Sequence, residues 1–205
     1  MAVFVDRGYR TGLGTGFYDR VGELDEFGRL VDSYKLVVVY GPRNAGKSEL
    51  VRYWARRRSR RRFVAFQADR LRAARSLEDL KAYLEAPKEG LKNLILFRLE
   101  RASLERLNVG ALVYIAYQVA RSLAGETVVV VDEFHMLPDY EEPREAVRDL
   151  EALAHWLAKG GVEGLRAVMT VSDGFIATGE AHARLFGYNA TFMLVEEMKE
   201  EGFRA

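Results

Sequence analysis

Apolar positions along the chain fall into two repeating arrangements. Short unbroken runs rich in β-branched residues have the length and continuity of strands buried on both faces: KLVVVY (35–40), FVAFQAD (63–69), TVVVVDE (127–133), LRAVMTVS (165–172) and TFMLVE (191–196). Between them lie longer segments whose apolar residues recur at helical spacing. In DRVGELDEFGRLVDSY (19–34), Val21, Leu24, Phe27, Leu30 and Val31 form one stripe, and Asp19 stands where a cap is expected. SELVRYWARRRSRR (48–61) is a second helix. Residues 76–124 read as helical: SLED (76–79) fits a capping box, two apolar stripes follow, and Gly90, Gly110 and Gly125 punctuate them. A last long helix begins with Pro143 in its first turn and stops at Gly160.

Strands alternating with helices predict right-handed crossovers. The expected fold is α/β, with a mostly parallel central sheet of about five strands and helices on both faces. Residues 1–18 contain TGLGTGF (11–17), which does not lie between a clear strand and a helix, so they read as a flexible lead-in. Residues 19–205 read as one core domain ending in a charged tail, EEMKEEGFRA.

Composition narrows the function classes. The chain is 49% hydrophobic and 30% charged, as globular domains are, and its formal net charge of +1 demands no nucleic-acid or membrane partner. The absence of cysteine excludes disulfides and thiolate chemistry. His135, His155 and His182 have no metal-ligand spacing. The N-terminus has no apolar signal core, and the longest nearly apolar run, ALVYIAYQVA (111–120), is too short to span a bilayer. A cytoplasmic protein is expected, and many charges with few Asn and Gln fit a thermophilic source.

The strongest chemical signal is GPRNAGKS (41–48), which matches G-x-x-x-x-G-K-[ST] at every fixed position, after a strand and opening a helix. Gly41 and Gly46 let the backbone bend around a phosphate with no Cβ in the way. Successive N–H groups and the helix N-terminus then form an anion nest. Gly41, Pro42, Arg43, Asn44, Ala45, Gly46, Lys47, Ser48 and the following Glu49 are the expected nucleotide-binding residues. Lys47 can reach the β- and γ-phosphates, and the Ser48 hydroxyl can ligate Mg²⁺. The fold expected is therefore the three-layer sandwich of P-loop NTPases.

VVVVDEFHML (128–137) supplies the acidic partner. A strand beside the phosphate-loop strand, ending in Asp, is expected to hold Mg²⁺, and Asp132 has that place. Glu133 directly after it can polarise an attacking water as general base. His135 reads as a turn residue. Thr170 and Ser172, in VMTVSDG, share side-chain parity near the end of another strand, where ligands bind in such sheets. Ser172, nearer the end, is taken as the residue sensing the γ-phosphate or holding the lytic water. The nucleotide expected is ATP/ADP, since no N-K-x-D guanine-reading motif occurs.

Four pieces in order resemble the archaeal ATPase family of P-loop proteins, related to AAA+ and STAND ATPases. They are FYDRVGELDEF (17–27), VVVYGPRNAGKSEL, VVVVDEFH and RAVMTVSDG. The first looks like the family's F-x-x-R-x-x-E-L box, with Arg20, Glu23 and Leu24 at the matching positions. The resemblance implies hydrolysis of Mg-ATP, with Lys47 and Ser48 on phosphate and Mg²⁺, Asp132 supporting the metal, Glu133 as base, and Arg20 near the adenine. Members often carry L-[FY]-G-R before the last strand; here LFGYNA puts Tyr188 at the Arg position, with Arg184 four residues earlier. Members also usually continue into a winged-helix domain and a further C-terminal domain, so the sequence reads as the ATPase core only. The output implied is a nucleotide-controlled switch or assembly, with a protein partner or homo-oligomer.

Two other readings stand beside it. DEFH spells the D-E-x-H box of a helicase or translocase, but TVS does not spell the S-A-T box and the chain has room for one such domain. RRRSRRR (Arg56 to Arg62) can contact a nucleic-acid backbone, or be a solvated helix end where cations favour the dipole. A nucleotide-binding module without turnover is the remaining alternative.

Overall fold

A computed structural model describes residues 4–6, 9–11, 17–18, 20–73, 77–82, 84–86, 88–101, 108–120, 126–137, 140–159, 163–172, 179–185 and 187–197. In chain order, strands β1 (Phe4–Asp6) and β2 (Phe17–Tyr18) form a small antiparallel pair. Helix α1 (Val21–Ser33), strand β3 (Leu36–Gly41) and helix α2 (Lys47–Tyr53) follow, and α2 widens into one π turn, Trp54–Arg58. Next come β4 (Arg62–Gln67), α3 (Ala68–Ala73), α4 (Leu77–Ala82), β5 (Leu84–Glu85), α5 (Glu89–Arg101) and α6 (Val109–Ala120). The chain continues through β6 (Thr127–Asp132), α7 (Pro143–Lys159), β7 (Leu165–Ser172), α8 (Gly179–Leu185) and β8 (Ala190–Leu194).

The central sheet has six strands in the order β5-β4-β6-β7-β3-β8, parallel throughout except for β5 against β4. The sixth strand, β5, lies inside the stretch read as helical; its two residues carry no periodicity to detect. Alternate residues of the apolar runs feed two separate cores. Leu36 and Val38, with Val129 and Val131, face the layer holding α3, α5, α6 and α7. Val37 and Val39, with Val128 and Val130, face α1 and α2. Burial on both faces is why these strands read as continuous and not alternating runs.

One expectation is overturned by this topology. The acidic strand β6 does not lie beside the phosphate-loop strand β3, because β7 is inserted between them. Register then sets Gly41 of β3 opposite Ser172 of β7, while β6 pairs with the other edge of β7. Thr170 and Ser172 thus stand between the phosphate loop and the acidic strand end. Run composition cannot rank one buried parallel strand against another.

Smaller differences have local causes. Gly90 and Gly110 are the second residues of α5 and α6 and so mark starts, not breaks. The stretch read as lead-in gives Tyr9 and Phe17 to the α1/α2 core, where Phe17 stacks on Tyr53 at 4.2 Å. Asp19, Ser76, Gly125, Gly160, residues 12–16 of the glycine-rich loop and residues 198–205 of the tail lie outside the described residues.

Gly41 and Gly22 make a test of the packing. Gly41 has φ +148°, and a Cβ there would come within 2.1 Å of the Val195 carbonyl oxygen, a backbone atom that cannot swing aside. Gly22 lies in α1 with nothing within 4 Å of such a Cβ. Gly41→Ala is expected to cost about 2–4 kcal/mol. Gly22→Ala should be neutral or slightly stabilising. Urea unfolding of the two variants checks this; equal midpoints would contradict it.

Candidate functional site

The phosphate loop runs between β3 and α2. Asn44 and Gly46 are in the left-handed region, at φ 64° and 86°. That alternation with ordinary backbone turns successive N–H groups toward a common centre. Ala45 N–H donates to Pro42 O at 3.2 Å, closing the turn, and Leu50 N–H to Gly46 O at 2.9 Å starts the helix. Arg43 and Asn44 are exposed at the tip, while Pro42 and Gly46 are half-buried. Lys47 is only 4% exposed, and its Nζ donates to Gly41 O at 2.9 Å and Pro42 O at 2.8 Å. One of its three donors is left for a ligand.

Strand parity brings the acidic end to this loop. Asp132 lies on the α2 side of the sheet, and its Oδ1 accepts from Ser48 Oγ at 2.7 Å and from Thr170 Oγ1 at 2.5 Å. Thr170 Oγ1 in turn accepts from the Glu133 N–H at 2.9 Å. A single buried hydroxyl therefore ties both acidic residues to β7. Glu133 itself adopts φ 51°, a costly conformation for a residue with a Cβ. Ser172 Oγ donates to its Oε2 at 3.3 Å. Ser172 and Thr170 thus share the site, as their parity predicts, with Thr170 on the aspartate and Ser172 on the glutamate.

Burial pushes the Glu133 carboxyl above the ordinary range; the Lys47 ammonium and the Ser172 hydrogen bond pull it down, and Asp132 pushes it up. His135 sits in a 3-10 turn, Phe134–Met136, as its reading as a turn residue expects, with Nδ1 3.6 Å from Glu133 Oε2. Burial lowers its pKa, and the nearby Lys47 and Arg43 lower it further.

Other candidates point elsewhere. Glu49 accepts from the Tyr9 hydroxyl at 3.3 Å and lies 3.7 Å from Arg52. Arg20 is 5% exposed and donates to the backbone of the loop, at Ala45 O. Arg184 pairs with Glu151 at 3.0 Å, and Tyr188 lies edge-on to His155 at 5.7 Å. In the arginine run, Arg56 bonds Glu85 at 2.6 Å, Arg58 approaches Asp25 at 3.4 Å, and Arg61 binds Asp32 and Glu126. Those three side chains are matched to acids of the same chain.

Sequence reasoning missed Arg52. Its guanidinium lies 3.4 Å from Asp132 Oδ2 and 3.6 Å from Glu85. The signal was present: Arg52 follows Ser48 by four residues on α2 and so shares its face.

The donor set suits the expected ligands. A serine hydroxyl beside a carboxylate oxygen offers hard oxygen donors of the kind Mg²⁺ requires. Glycines and a near-buried lysine around inward amides suit a polyphosphate.

The same architecture recurs among solved structures. The Walker-type ATPase PABY2304 of Pyrococcus abyssi superposes with a TM-score of 0.60 at 19% identity, over 97% of this chain and 59% of that one. The Aeropyrum pernix ORC2 protein, solved as ADPNP-ADP complexes, gives 0.54 at 16% identity, over 96% and 52%. The Aeropyrum pernix ORC1 protein, in complex with DNA, gives 0.54 at 14% identity, over 90% and 47%. At these identities the likeness is one of fold, and the chain spans roughly half to three-fifths of their lengths. No curated protein sequence matches. The family model described as an ATPase domain predominantly from Archaea matches residues 17–205. The chain belongs to that family of archaeal ATPase domains.

Proposed function

We propose that this chain binds ATP with Mg²⁺ through residues 41–48 and hydrolyses it to ADP and phosphate, and that its nucleotide state controls a conformational switch or an assembly. Residues 19–205 act as the nucleotide-binding core, and residues 1–18 lead into it, with Tyr9 and Phe17 packed on the α1/α2 core. The observation carrying this reading is the convergence on Asp132 Oδ1 of Ser48 from the loop helix and Thr170 from the inserted strand, with Glu133 held beside them. In it, Lys47 and the loop amides neutralise the phosphates, and Ser48 and Asp132 hold the metal. Mg²⁺, when bound, supplies charge neutralisation at the phosphate oxygens. Glu133 takes a proton from the attacking water, and Ser172 orients the carboxylate that receives it. The burial that raises the Glu133 pKa makes its ionised form a stronger base than an ordinary carboxylate.

A nucleic-acid motor has less behind it. The DNA in one similar structure belongs to that protein, and Arg56, Arg58 and Arg61 here are engaged by carboxylates. The test is ATP turnover by the purified chain with Mg²⁺, with EDTA, and with duplex DNA. Turnover that needs Mg²⁺ and ignores DNA is expected. Turnover seen only with DNA would favour the motor, and tight ATP binding with no turnover would favour a binding module.

A further inference from the structure

Arg20 is a buried guanidinium at the start of α1, and it joins three segments distant in sequence. Its Nη2 donates to Ala45 O at 2.5 Å and to Glu196 O at 3.1 Å, and its Nη1 pairs with Glu23. Ala45 O belongs to the same peptide group as the Gly46 N–H. In a trans peptide the C=O and N–H point in opposite directions. An arginine fixed on the oxygen therefore turns the Gly46 N–H away from itself.

The chain leaving β8 is held at the other end of the loop as well. Val195 N–H donates to Tyr40 O at 2.8 Å, and the Val195 carbonyl occupies the space a Cβ on Gly41 would need. Residues 195–196 thus touch the phosphate loop at its first residue, Gly41, and, through Arg20, at Ala45. A movement of the loop cannot leave them undisturbed.

We propose that Arg20 is a positioning residue that orients the Ala45–Gly46 peptide for phosphate and couples the loop to the chain leaving β8. The inference rests on the nucleotide reading above, and assigns Arg20 to the loop backbone and the β8 exit instead of the adenine. Nucleotide in the loop then restrains residues 195–196, and whatever follows β8 reads the nucleotide state through this arginine.

The experiment measures ADP affinity and hydrogen exchange at the Val195 amide, with and without saturating Mg-ADP. Arg20→Met, Arg20→Lys and Val31→Ala are compared with the unaltered chain. Val31 is in the α1 core, away from the clamp, so its truncation controls for general loosening. In the unaltered chain ADP is expected to slow exchange by ~5-fold or more, the lower range of site-to-site coupling. Arg20→Met should still bind ADP at saturation, more weakly, with that protection reduced to less than ~2-fold. Arg20→Lys should recover part of it, and Val31→Ala should keep it. Undiminished protection in Arg20→Met, or equal loss in Val31→Ala, overturns the coupling alone. Failure of the unaltered chain to bind ADP overturns the nucleotide reading and the coupling with it.

Discussion

Glu133→Gln is expected to lower ATP turnover by ~10²–10³-fold, within the range that positioned general bases contribute. Nucleotide affinity should stay within ~3-fold, because the substitution preserves shape and removes only the basic oxygen. Glu133 meets the Ser172 hydroxyl through Oε2, and its main chain is held by Thr170, so the amide can be accommodated. Two pH signatures go with this. If ionised Glu133 is the base, turnover in the unaltered chain has an acid limb above the ordinary glutamate range, because burial raises its pKa. That limb disappears in the Gln variant. The stability sign is opposite to the usual carboxylate case. A folded pKa raised above the unfolded value means that the ionised group opposes folding once pH passes through that window. Above it, the Gln variant should melt no lower than the unaltered chain; below both values the advantage vanishes. Pre-steady-state turnover, equilibrium binding and melting across pH check the set. Turnover unchanged by Glu133→Gln removes it from the base role.

Lys47→Ala is expected to weaken ATP binding by about 10²-fold, or ~3 kcal/mol, the scale of one or two charge-assisted hydrogen bonds. The ammonium is almost fully buried and anchored by Gly41 O and Pro42 O, so it is already placed before ligand arrives. Two nearby cations are already committed: Arg52 is engaged with Asp132, Glu49 and Glu85, and Arg20 with loop backbone. Lys47 also pulls the Glu133 pKa downward, so its loss leaves burial and Asp132 to push that carboxyl higher. Turnover at saturating ATP should drop as well, because the ammonium no longer neutralises charge on the phosphates, and the acid limb should move to higher pH. Titration calorimetry with ATP and Mg²⁺ measures the first effect and turnover across pH the second. Affinity within ~3-fold of the unaltered chain would show that Lys47 makes no such contact with phosphate.

Much of the site was legible because its chemistry is local. The loop needs its two glycines, its lysine and its serine in one short segment, and all are consecutive in GPRNAGKS. Asp132 and Glu133 were legible because a strand of four valines ends on them. Thr170 and Ser172 could be placed on one face from strand parity. Their division of labour could not, because it depends on which strand β7 adjoins. Arg52 and Arg20 were harder for a related reason. A charged side chain gives the same signal whether it faces solvent, a carboxylate or a buried carbonyl. The arginine run shows the converse, since three of its members meet acids contributed by α1, β5 and the residue preceding β6.

By itself the sequence determined the class of fold, the phosphate loop and the acidic strand end, because hydrophobic period, glycine placement and short-range spacing act within a few residues. Tertiary structure alone decided the insertion of β7 between loop strand and acidic strand, the small β5 edge, and the clamp of Arg20 on Ala45 and Glu196. Those features arise from pairing between segments tens to more than a hundred residues apart. Several buried parallel strands of nearly equal apolar composition can exchange places in a pattern read one window at a time; only packing on both faces and the register of real neighbours distinguish them.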